Sequence, residues 1–276
     1  MSQSGAHAAL PEAEPGAIER WRAYGTQVLA VVGSELQKLR HDPLEVFTRA
    51  VQPMLWLLLF GGVMAQVRGL NPGGMPYLDF LAPGILSQSV LFVAIFYGIS
   101  VIWERDLGVM QRYLVSPAPR SALVLGKALS ASVRGLIQAI FVYLLAVALG
   151  IGISLELGHV TGAILVIILG SCLFSTFSLI IACIVRTRER FMGIGQVMTM
   201  PIFFASSAIY PLSLMPEWLR VLSHANPLTY QVDALRELML VEGTSTFGIE
   251  TDFAVLLGVF IVLLVIAARI YPRLGY

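Results

Sequence analysis

Three consecutive charged residues, Glu104, Arg105 and Asp106, directly follow an apolar run that ends at Trp103. At the centre of a membrane helix, an ionised side chain costs roughly 2.5–3.5 kcal/mol. We therefore expect these residues at a membrane surface, where their charges can form ion pairs and hydrogen bonds with a partner protein. The chemistry that they favour is recognition of another protein.

The stretch from Glu104 to Leu114 has the pattern of a short amphipathic helix. Its apolar edge contains Leu107 and Met110, and the dipeptides Ser116-Pro117 and Ala118-Pro119 would end it. Its polar members are Glu104, Arg105, Asp106, Gln111 and Arg112. Such a helix fits the groove of a cytoplasmic partner. A loop that is anchored at the lipid headgroups explains the pattern equally well.

The chain carries no recognisable energy source of its own. The phosphate-binding pattern GxxxxGK[ST] is absent, because Gly126-Lys127 is followed by Ala128 and no glycine stands five residues before Gly126. No His, Cys and Asp set has metal-ligand spacing, and no Ser-His-Asp set is suggested. We therefore expect no catalytic site, no metal and no bound cofactor, and a separate protein as the energy source for any transport against a gradient.

Composition places the chain in a membrane. Hydrophobic residues make up 57% of its 276 residues and charged residues only 13%, and the mean hydropathy is +0.80. Soluble domains are nearer about 25% charged. We predict an all-α membrane protein with a single transmembrane domain over residues 18–276, preceded by a disordered cytoplasmic tail at residues 1–17.

A helix of about 20 apolar residues crosses the hydrocarbon core of a bilayer. Six stretches are predicted as transmembrane helices on that rule: Val46–Val67, Phe80–Trp103, Ala131–Ile151, Thr161–Val185, Phe191–Tyr210 and Phe253–Ile270. Residues 18–40 mix charged and apolar residues at helical spacing, which predicts an amphipathic helix on the membrane surface. An ordinary solvated helix is the alternative.

Lysine and arginine concentrate on the cytoplasmic side of membrane proteins. With the N-terminus in the cytoplasm, fourteen of these residues fall on the cytoplasmic side and three, Arg68, Arg220 and Arg236, on the outer side. Arg134, inside the third span, is left uncounted. The asymmetry predicts that both termini are cytoplasmic and that the number of spans is even.

The longest outer connection, residues 211–252, is not a polar loop. Apolar residues recur at helical spacing on both sides of Asn226-Pro227, which predicts two short helices with a break at that dipeptide. The pair either dips into the outer leaflet as a re-entrant structure or lies flat on the outer surface.

Aromatic residues in two spans are candidates to line a path for an amphipathic molecule, although such residues also pack in ordinary cores: Phe92, Phe96, Tyr97, Phe203 and Phe204. Arg134, near the start of the third span, is a further candidate. It either extends back toward the cytoplasmic headgroups or faces a cleft and contacts an anionic substrate or an acid such as Glu189. Pro201, in the middle of the fifth span, is a candidate hinge.

Two long blocks of the sequence resemble a known family. Residues Glu104–Leu129, ERDLGVMQRYLVSPAPRSALVLGKAL, and Pro201–Glu237, PIFFASSAIYPLSLMPEWLRVLSHANPLTYQVDALRE, are similar to blocks of the type-2 ABC exporter permeases. The closest branch is that of daunorubicin-resistance and nodulation-factor export. With the predicted spans, the resemblance covers about residues 20–276. Val109 stands where the family has threonine, and Gln111 where it has glutamate.

The resemblance implies a bacterial inner-membrane permease that exports an amphipathic drug- or lipid-like molecule. Its implied partners are cytoplasmic ABC ATPase subunits, which bind ATP and Mg, and a second permease copy or a related permease; no nucleic-acid partner is expected. The coupling helix would dock on the ATPase through Glu104, Arg105, Asp106, Gly108, Gln111, Arg112 and Leu114. The re-entrant pair at residues 211–252 would close the outer side, with Trp218, Asn226, Pro227, Tyr230, Asp233 and Arg236 at its gate.

Other functions remain as alternatives. Within the same class, the exported molecule could be a polysaccharide or a lipo-oligosaccharide. An integral membrane enzyme that acts on a lipid would need an acid, histidine or metal constellation, and the sequence shows none. A secondary transporter would need acidic residues at mid-membrane, and the last three predicted spans contain none.

Overall fold

The computed structural model describes residues 17–41, 43–67, 74–108, 119–185 and 187–271. These residues are almost entirely helical, and the only extended pairing among them is an isolated bridge between Ile153 and Leu240. The predicted tail at residues 1–17, apart from Ala17, lies outside the described residues. So do Gln111, Arg112 and Leu114 of the predicted coupling helix.

Ten α-helices follow one another within the described part of the chain. They are α1 Ala17–His41, α2 Pro43–Leu55, α3 Gly62–Met64, α4 Tyr77–Asp106, α5 Arg120–Ala148, α6 Leu157–Ile184, α7 Arg188–Phe204, α8 Glu217–Ala225, α9 Pro227–Met239 and α10 Ile249–Ile270. A π-helical segment, Trp56–Gly61, joins α2 to α3, and a 3₁₀ turn covers Leu212–Leu214.

Among the described residues, α4, α5, α6 and α10 are long and apolar enough to cross a membrane. They correspond to the second, third, fourth and sixth predicted spans. The fifth predicted span overlaps α7, which has 17 residues. The first is divided between α2, the π-helical segment and α3. Helix length and composition therefore support four of the six predicted spans.

The interruption of the first predicted span follows Pro53, which lies inside α2. Proline has no backbone N–H and its ring clashes with the preceding turn. The wider π-helical turns begin three residues later, at Trp56. The helical path therefore continues to Met64 but changes its winding on the way.

The centre of the molecule is built from α4 and α6. Helix α4 contacts α2, α5, α6, α7 and α9, and 78% of its most apolar stretch is buried, against 17% for α10. A helix that is apolar on all sides is buried either in the core of a protein or in a membrane. The large side chains on the outer face of α10 are exposed instead, among them Leu257, Ile261, Val262 and Val265, which is the pattern of a lipid-facing helix.

The predicted helix at residues 18–40 is confirmed as α1. Val28 and Val31 are buried on its apolar face. A Cβ atom on Gly126 of α5 would come within 2.8 Å of Val31 Cβ. The small residue on α5 therefore allows close packing of α1.

Two predicted boundaries are wrong. Helix α5 begins at Arg120, well before Ala131, because the charge of Lys127 is paired inside the fold and does not end the helix. Helix α7 ends at Phe204 and not at Tyr210. Pro201 consequently lies in the last turn of α7 and not in the middle of the helix.

Candidate functional site

A buried ion pair lies at the charged end of α4. The Lys127 Nζ and Glu104 Oε2 atoms are 2.6 Å apart, and the two side chains are only 4% and 7% exposed. Lys127 reaches Glu104 from α5. The pair therefore joins α4 to α5 and turns the first of the predicted coupling residues inward.

The predicted helix over residues 104–114 does not begin at Glu104, because α4 continues to Asp106. Leu107 and Gly108 form a turn in which the Gly108 amide donates to the carbonyl of Arg105 at 3.0 Å. Gly108 has a φ of +71°, the left-handed conformation that glycine commonly adopts just after a helix. A glycine at this position is a recognised stop signal in sequence.

A partly exposed group of three charged residues and a tryptophan, here called the Asp106 cluster, consists of Trp103, Arg105, Asp106 and Arg188. Asp106 Oδ2 accepts from Arg188 Nε at 3.1 Å and lies 2.9 Å from Nη2, while Asp106 Oδ1 accepts from Arg105 at 3.3 Å. The Arg188 guanidinium stacks on Trp103, 3.6 Å from the ring centroid. Arg105 also donates to the carbonyl of Val185. The cluster ties the end of α4 to the connection between α6 and α7.

Arg134 contacts α1, a partner that the sequence does not suggest. Its Nη2 lies 3.5 Å from Glu35 Oε2, with the two side chains 13% and 3% exposed. The guanidinium also lies over the ring of Tyr97, 5.0 Å from the centroid. Arg134 thus holds α1 against α5 near α4, and Glu35 takes the place of the predicted partner Glu189.

A groove of about 350 Å³ lies between α2, α4 and α7. Phe92 and Phe96 line it from α4, with ring centroids 6.2 Å apart, and Met192 and Met200 line it from α7. Its polar lining residues are Arg49, Gln52, Gln88, Ser89 and Gln196. The groove can therefore hold an apolar body and offers hydrogen-bonding groups beside it.

The other residues predicted to line a path lie elsewhere. Tyr97 is buried beside Arg134. Phe203 is fully buried and packs edge-to-face on Trp56, with centroids 6.3 Å apart. Phe204 is 43% exposed. The structure thus brings two of the six predicted residues, Phe92 and Phe96, into one groove.

The predicted pair of short helices with a break at Asn226-Pro227 is confirmed as α8 and α9. Asn226 Oδ1 accepts from the amide of Leu228 at 3.0 Å, and Pro227 occupies the first turn of α9, where no backbone donor is needed. Asn226 Nδ2 donates to the carbonyl of Ile202 at 2.6 Å. The junction of the two helices is therefore fastened to α7.

Helix α9 packs inside the bundle, beside α6. A Cβ atom on Gly162 would come within 2.8 Å of Leu238, and one on Gly170 would overlap the side chain of Gln231. Tyr230 donates to the carbonyl of His224 at 2.8 Å and so connects α9 to α8. On α8 itself, Trp218, Val221 and Leu222 are exposed.

Two of the predicted gate residues, Asp233 and Arg236, are buried and paired. Asp233 Oδ2 accepts from the amides of Thr246 and Phe247 at 2.6 and 3.0 Å. Arg236 Nη1 lies 3.6 Å from Asp233 Oδ1, and Arg236 Nη2 donates to the carbonyl of Ser207 at 2.9 Å. Burial lowers the pKa of Arg236 to about 10, against the opposing effect of Asp233, so the guanidinium keeps its charge at neutral pH.

A second carboxylate meets this pair at the hydroxyl of Ser245. Ser245 Oγ lies 3.0 Å from Asp233 Oδ2 and 2.9 Å from Asp252 Oδ2. Asp252 is fully buried in the first turn of α10, so the hydroxyl connects α9 to α10. Within the residues that the structure describes, no three His, Cys, Asp or Glu side chains group in a way that could hold a metal ion.

Sequence reasoning missed Glu35 and Gln88. Glu35 lies four residues after Val31 and seven after Val28, which places it on the packed face of α1. This spacing could have predicted from sequence that Glu35 is buried. Gln88 is a carboxamide inside an apolar span. Polar residues at such positions are costly and mark candidate functional sites.

A family model described as ABC-2 type transporter matches residues 26–240. A putative transport permease, ycf38, of Cyanophora paradoxa is 32% identical over 206 residues, which are 73% of this chain and 70% of the relative. A daunorubicin resistance ABC transporter permease protein, DrrB1, of Streptomyces coeruleorubidus is 26% identical over 77% of this chain and 74% of its own length. An inner membrane transport permease, YadH, of Escherichia coli is 25% identical over 75% of this chain and 79% of its own length.

Proposed function

Because this chain belongs to the ABC-2 type transporter family, as the membrane permease subunit of an ABC transporter, we propose that it exports an amphipathic drug- or lipid-like molecule from the cytoplasm. The family match over residues 26–240 carries this proposal, since it includes both the charged end of α4 and the α8–α9 pair. The name of the relative DrrB1, a daunorubicin resistance permease, supports a drug-like substrate. A partner ABC ATPase would bind ATP and Mg and hydrolyse ATP.

The proposed arrangement has six spans in a bacterial inner membrane, with both termini in the cytoplasm. Two observations support a total of six spans, in addition to the four long apolar helices. The helical path from Pro43 to Met64 covers the first predicted span, and α7 covers most of the fifth. The excess of Lys and Arg on one side supports the orientation.

Cysteine labelling tests this orientation. Glu217 and Glu242 are exposed, and a cysteine at either position is expected to react with a membrane-impermeant maleimide added to intact cells. Glu189, an exposed acid at the start of α7, is the matched control and should react only after the cells are opened. Cys172 and Cys183 are first replaced by alanine. Labelling of Glu189→Cys alone in intact cells would reverse the topology.

The Asp106 cluster is proposed as the coupling surface for the ATPase. Trp103 and Asp106 are exposed, the cluster stands at the end of the central helix α4, and it also contacts the start of α7 through Arg188. A force on this cluster would therefore act on two helices that line the groove. Arg105 and Asp106 belong to this surface, whereas the side chain of Glu104 points into the bundle to Lys127.

Purification of the tagged chain from the membranes of its natural cell is expected to recover an ABC ATPase with it. In that complex, Asp106→Ala should lower the coupled rate of ATP hydrolysis by at least about fivefold. This factor corresponds to the low end of typical coupling free energies between two sites. The variant should stay folded, because exposed ion pairs contribute only about 0–1 kcal/mol. ATPase rate and thermal unfolding are measured on the same preparation.

Glu189→Ala is the control, because it removes a neighbouring exposed acid outside the Asp106 cluster. It should leave both measurements unchanged. A coupled rate that is the same in Asp106→Ala and in the unmodified complex would overturn the coupling surface. Transport by the chain alone without ATP would overturn the proposed function itself.

The groove between α2, α4 and α7 is proposed as this chain's part of the substrate path. Its aromatic and methionine side chains suit an apolar body, and Phe92 and Phe96 are among the residues expected there from sequence. A second permease copy or a related permease would complete the path. The α8–α9 pair is proposed as the re-entrant gate on the outer side, which the packing of α9 beside α6 supports.

A further inference from the structure

Gln88 is a buried carboxamide without a partner. The residue is 3% exposed, and neither its Oε1 nor its Nε2 atom forms a hydrogen bond within the part of the chain that the structure describes. An unsatisfied buried polar group costs free energy comparable to a lost hydrogen bond, and a carboxamide accepts hydrogen bonds at its oxygen and donates two from its nitrogen. Gln88 also lines the groove between α2, α4 and α7. Its hydrogen-bonding capacity is therefore available to a molecule in that groove.

Two further carboxamides line the same groove from the other two helices. Gln52 belongs to α2 and Gln196 to α7, so each wall contributes one neutral group that both donates and accepts. Among the described residues, no Asp or Glu side chain lines the groove, and the charged side chain in its lining is Arg49. A cation therefore meets no carboxylate among these lining residues, whereas hydroxyl groups, which also donate and accept, match the carboxamides.

The apolar part of the lining lies next to these groups. Phe92 follows Gln88 by one helical turn and Phe96 by two, and Met192 and Met200 lie on α7. Methionine adapts its shape to different apolar partners. A volume of about 350 Å³ is at the lower end of ligand pockets, which suits the head group and the adjoining part of a larger molecule.

We infer that this groove binds an amphipathic molecule whose head group is neutral and rich in hydroxyl groups, as in a glycoside, with the head at Gln88, Gln52 and Gln196 and the apolar body on Phe92 and Phe96. The inference rests on the proposed function and names the chemical class of the substrate. The same groove would discriminate against molecules with a quaternary ammonium head, which have neither a hydrogen-bond donor nor an acceptor.

Two probes with the same apolar chain test the inference on the complete transporter in lipid nanodiscs. Octyl glucoside has a neutral hydroxyl-rich head, and octyltrimethylammonium has a cationic head. The measured quantity is the concentration, below that of micelle formation, at which each probe half-maximally changes ATP hydrolysis. Octyl glucoside is expected to act at an about tenfold lower concentration, the effect of one or two hydrogen bonds.

Gln88→Leu is expected to remove this preference for octyl glucoside. Because the substitution removes an unpaired polar group, the variant should unfold at the same temperature as the unmodified chain or at a higher one, so a loss of preference is not a loss of fold. Ser89→Ala is the matched control: Ser89 also lines the groove, but its hydroxyl donates to the carbonyl of Leu86 at 2.7 Å. This variant should keep the preference.

Equal potency of the two probes, or an unchanged preference in Gln88→Leu, would overturn the inference. Loss of permease dimers in Gln88→Leu, measured by light scattering, would also overturn it, because a partner permease would then be the occupant of the groove. These outcomes leave the export function standing as long as the ATPase co-purifies and ATP drives transport. Failure of co-purification would count against the proposed function instead.

Discussion

Lys127→Met is expected to destabilise the folded permease by about 3–5 kcal/mol, the usual result of removing one partner from a buried ion pair. The Glu104 carboxylate would remain 7% exposed and would lose the cation that now lies 2.6 Å away. No exposed position is available to it, because Glu104 lies on the inner face of the central helix α4. The thermal unfolding temperature and the yield of the purified chain measure the effect.

A second substitution separates the charge effect from the packing effect. Buried ion pairs are often replaced by apolar residues with little loss, so Glu104→Met combined with Lys127→Met should recover most of the lost stability. Arg120→Ala removes an exposed cation from the first turn of the same helix, α5, and should change little. If the double variant were as unstable as Lys127→Met alone, the loss of the ion pair between Glu104 and Lys127 would not be the cause.

Gly84→Ala is expected to destabilise the chain by about 1–3 kcal/mol or more, the range for overpacking a well-packed core. The added Cβ would lie 2.8 Å from the carbonyl carbon of Ala208 and 2.9 Å from its Cα atom. These are backbone atoms, so no rotation of a side chain relieves the overlap. The unfolding temperature in detergent is the direct measurement.

The turn around Ala208 cannot easily move away from α4. Tyr77 donates to the carbonyl of Ile209 at 3.0 Å, and Arg236 donates to that of Ser207 at 2.9 Å. Both bonds hold the turn from the side of α4 and α9. We therefore expect Gly84→Ala to disturb the α9 junction as well as α4.

Gly258→Ala is the control for Gly84→Ala. Gly258 also lies inside a long apolar helix, α10, but a Cβ atom there meets nothing within 4 Å. Alanine favours a helix over glycine by about 1 kcal/mol, so this variant should be as stable as the unmodified chain or slightly more stable. An equal loss of stability in both variants would show that contact with Ala208 is not what makes Gly84 necessary.

Several elements follow from local sequence alone. The long apolar runs of α4, α5, α6 and α10 predict helices because such runs leave the backbone no other way to satisfy its hydrogen bonds in lipid. The break at Asn226-Pro227 is also local, since asparagine caps a helix and proline fits its first turn. The stop at Gly108 is local as well, because a glycine just after a helix adopts the left-handed conformation that ends it.

The contacts of the charged residues could not be predicted in the same way. Glu104 and Lys127 lie 23 residues apart in the chain, and Glu35 and Arg134 much further. Sequence patterns therefore give no sign of which charges meet. The start of α5 was misplaced for this reason, because a lysine in an apolar context looks like the end of a span until its partner is known.

The sequence by itself determined that the chain is a helical membrane protein of the ABC-2 type, because composition, helical periodicity and two long motif blocks are properties of neighbouring residues. Only the tertiary structure decided what its charged and polar residues do. It placed Glu104 in a buried pair, left Asp106 and Arg188 together at the surface, and left Gln88 facing a groove with no hydrogen-bond partner among the described residues. The physical reason is that the energy of a charge or a carboxamide depends on its burial and its partners, and both are set by how distant helices pack.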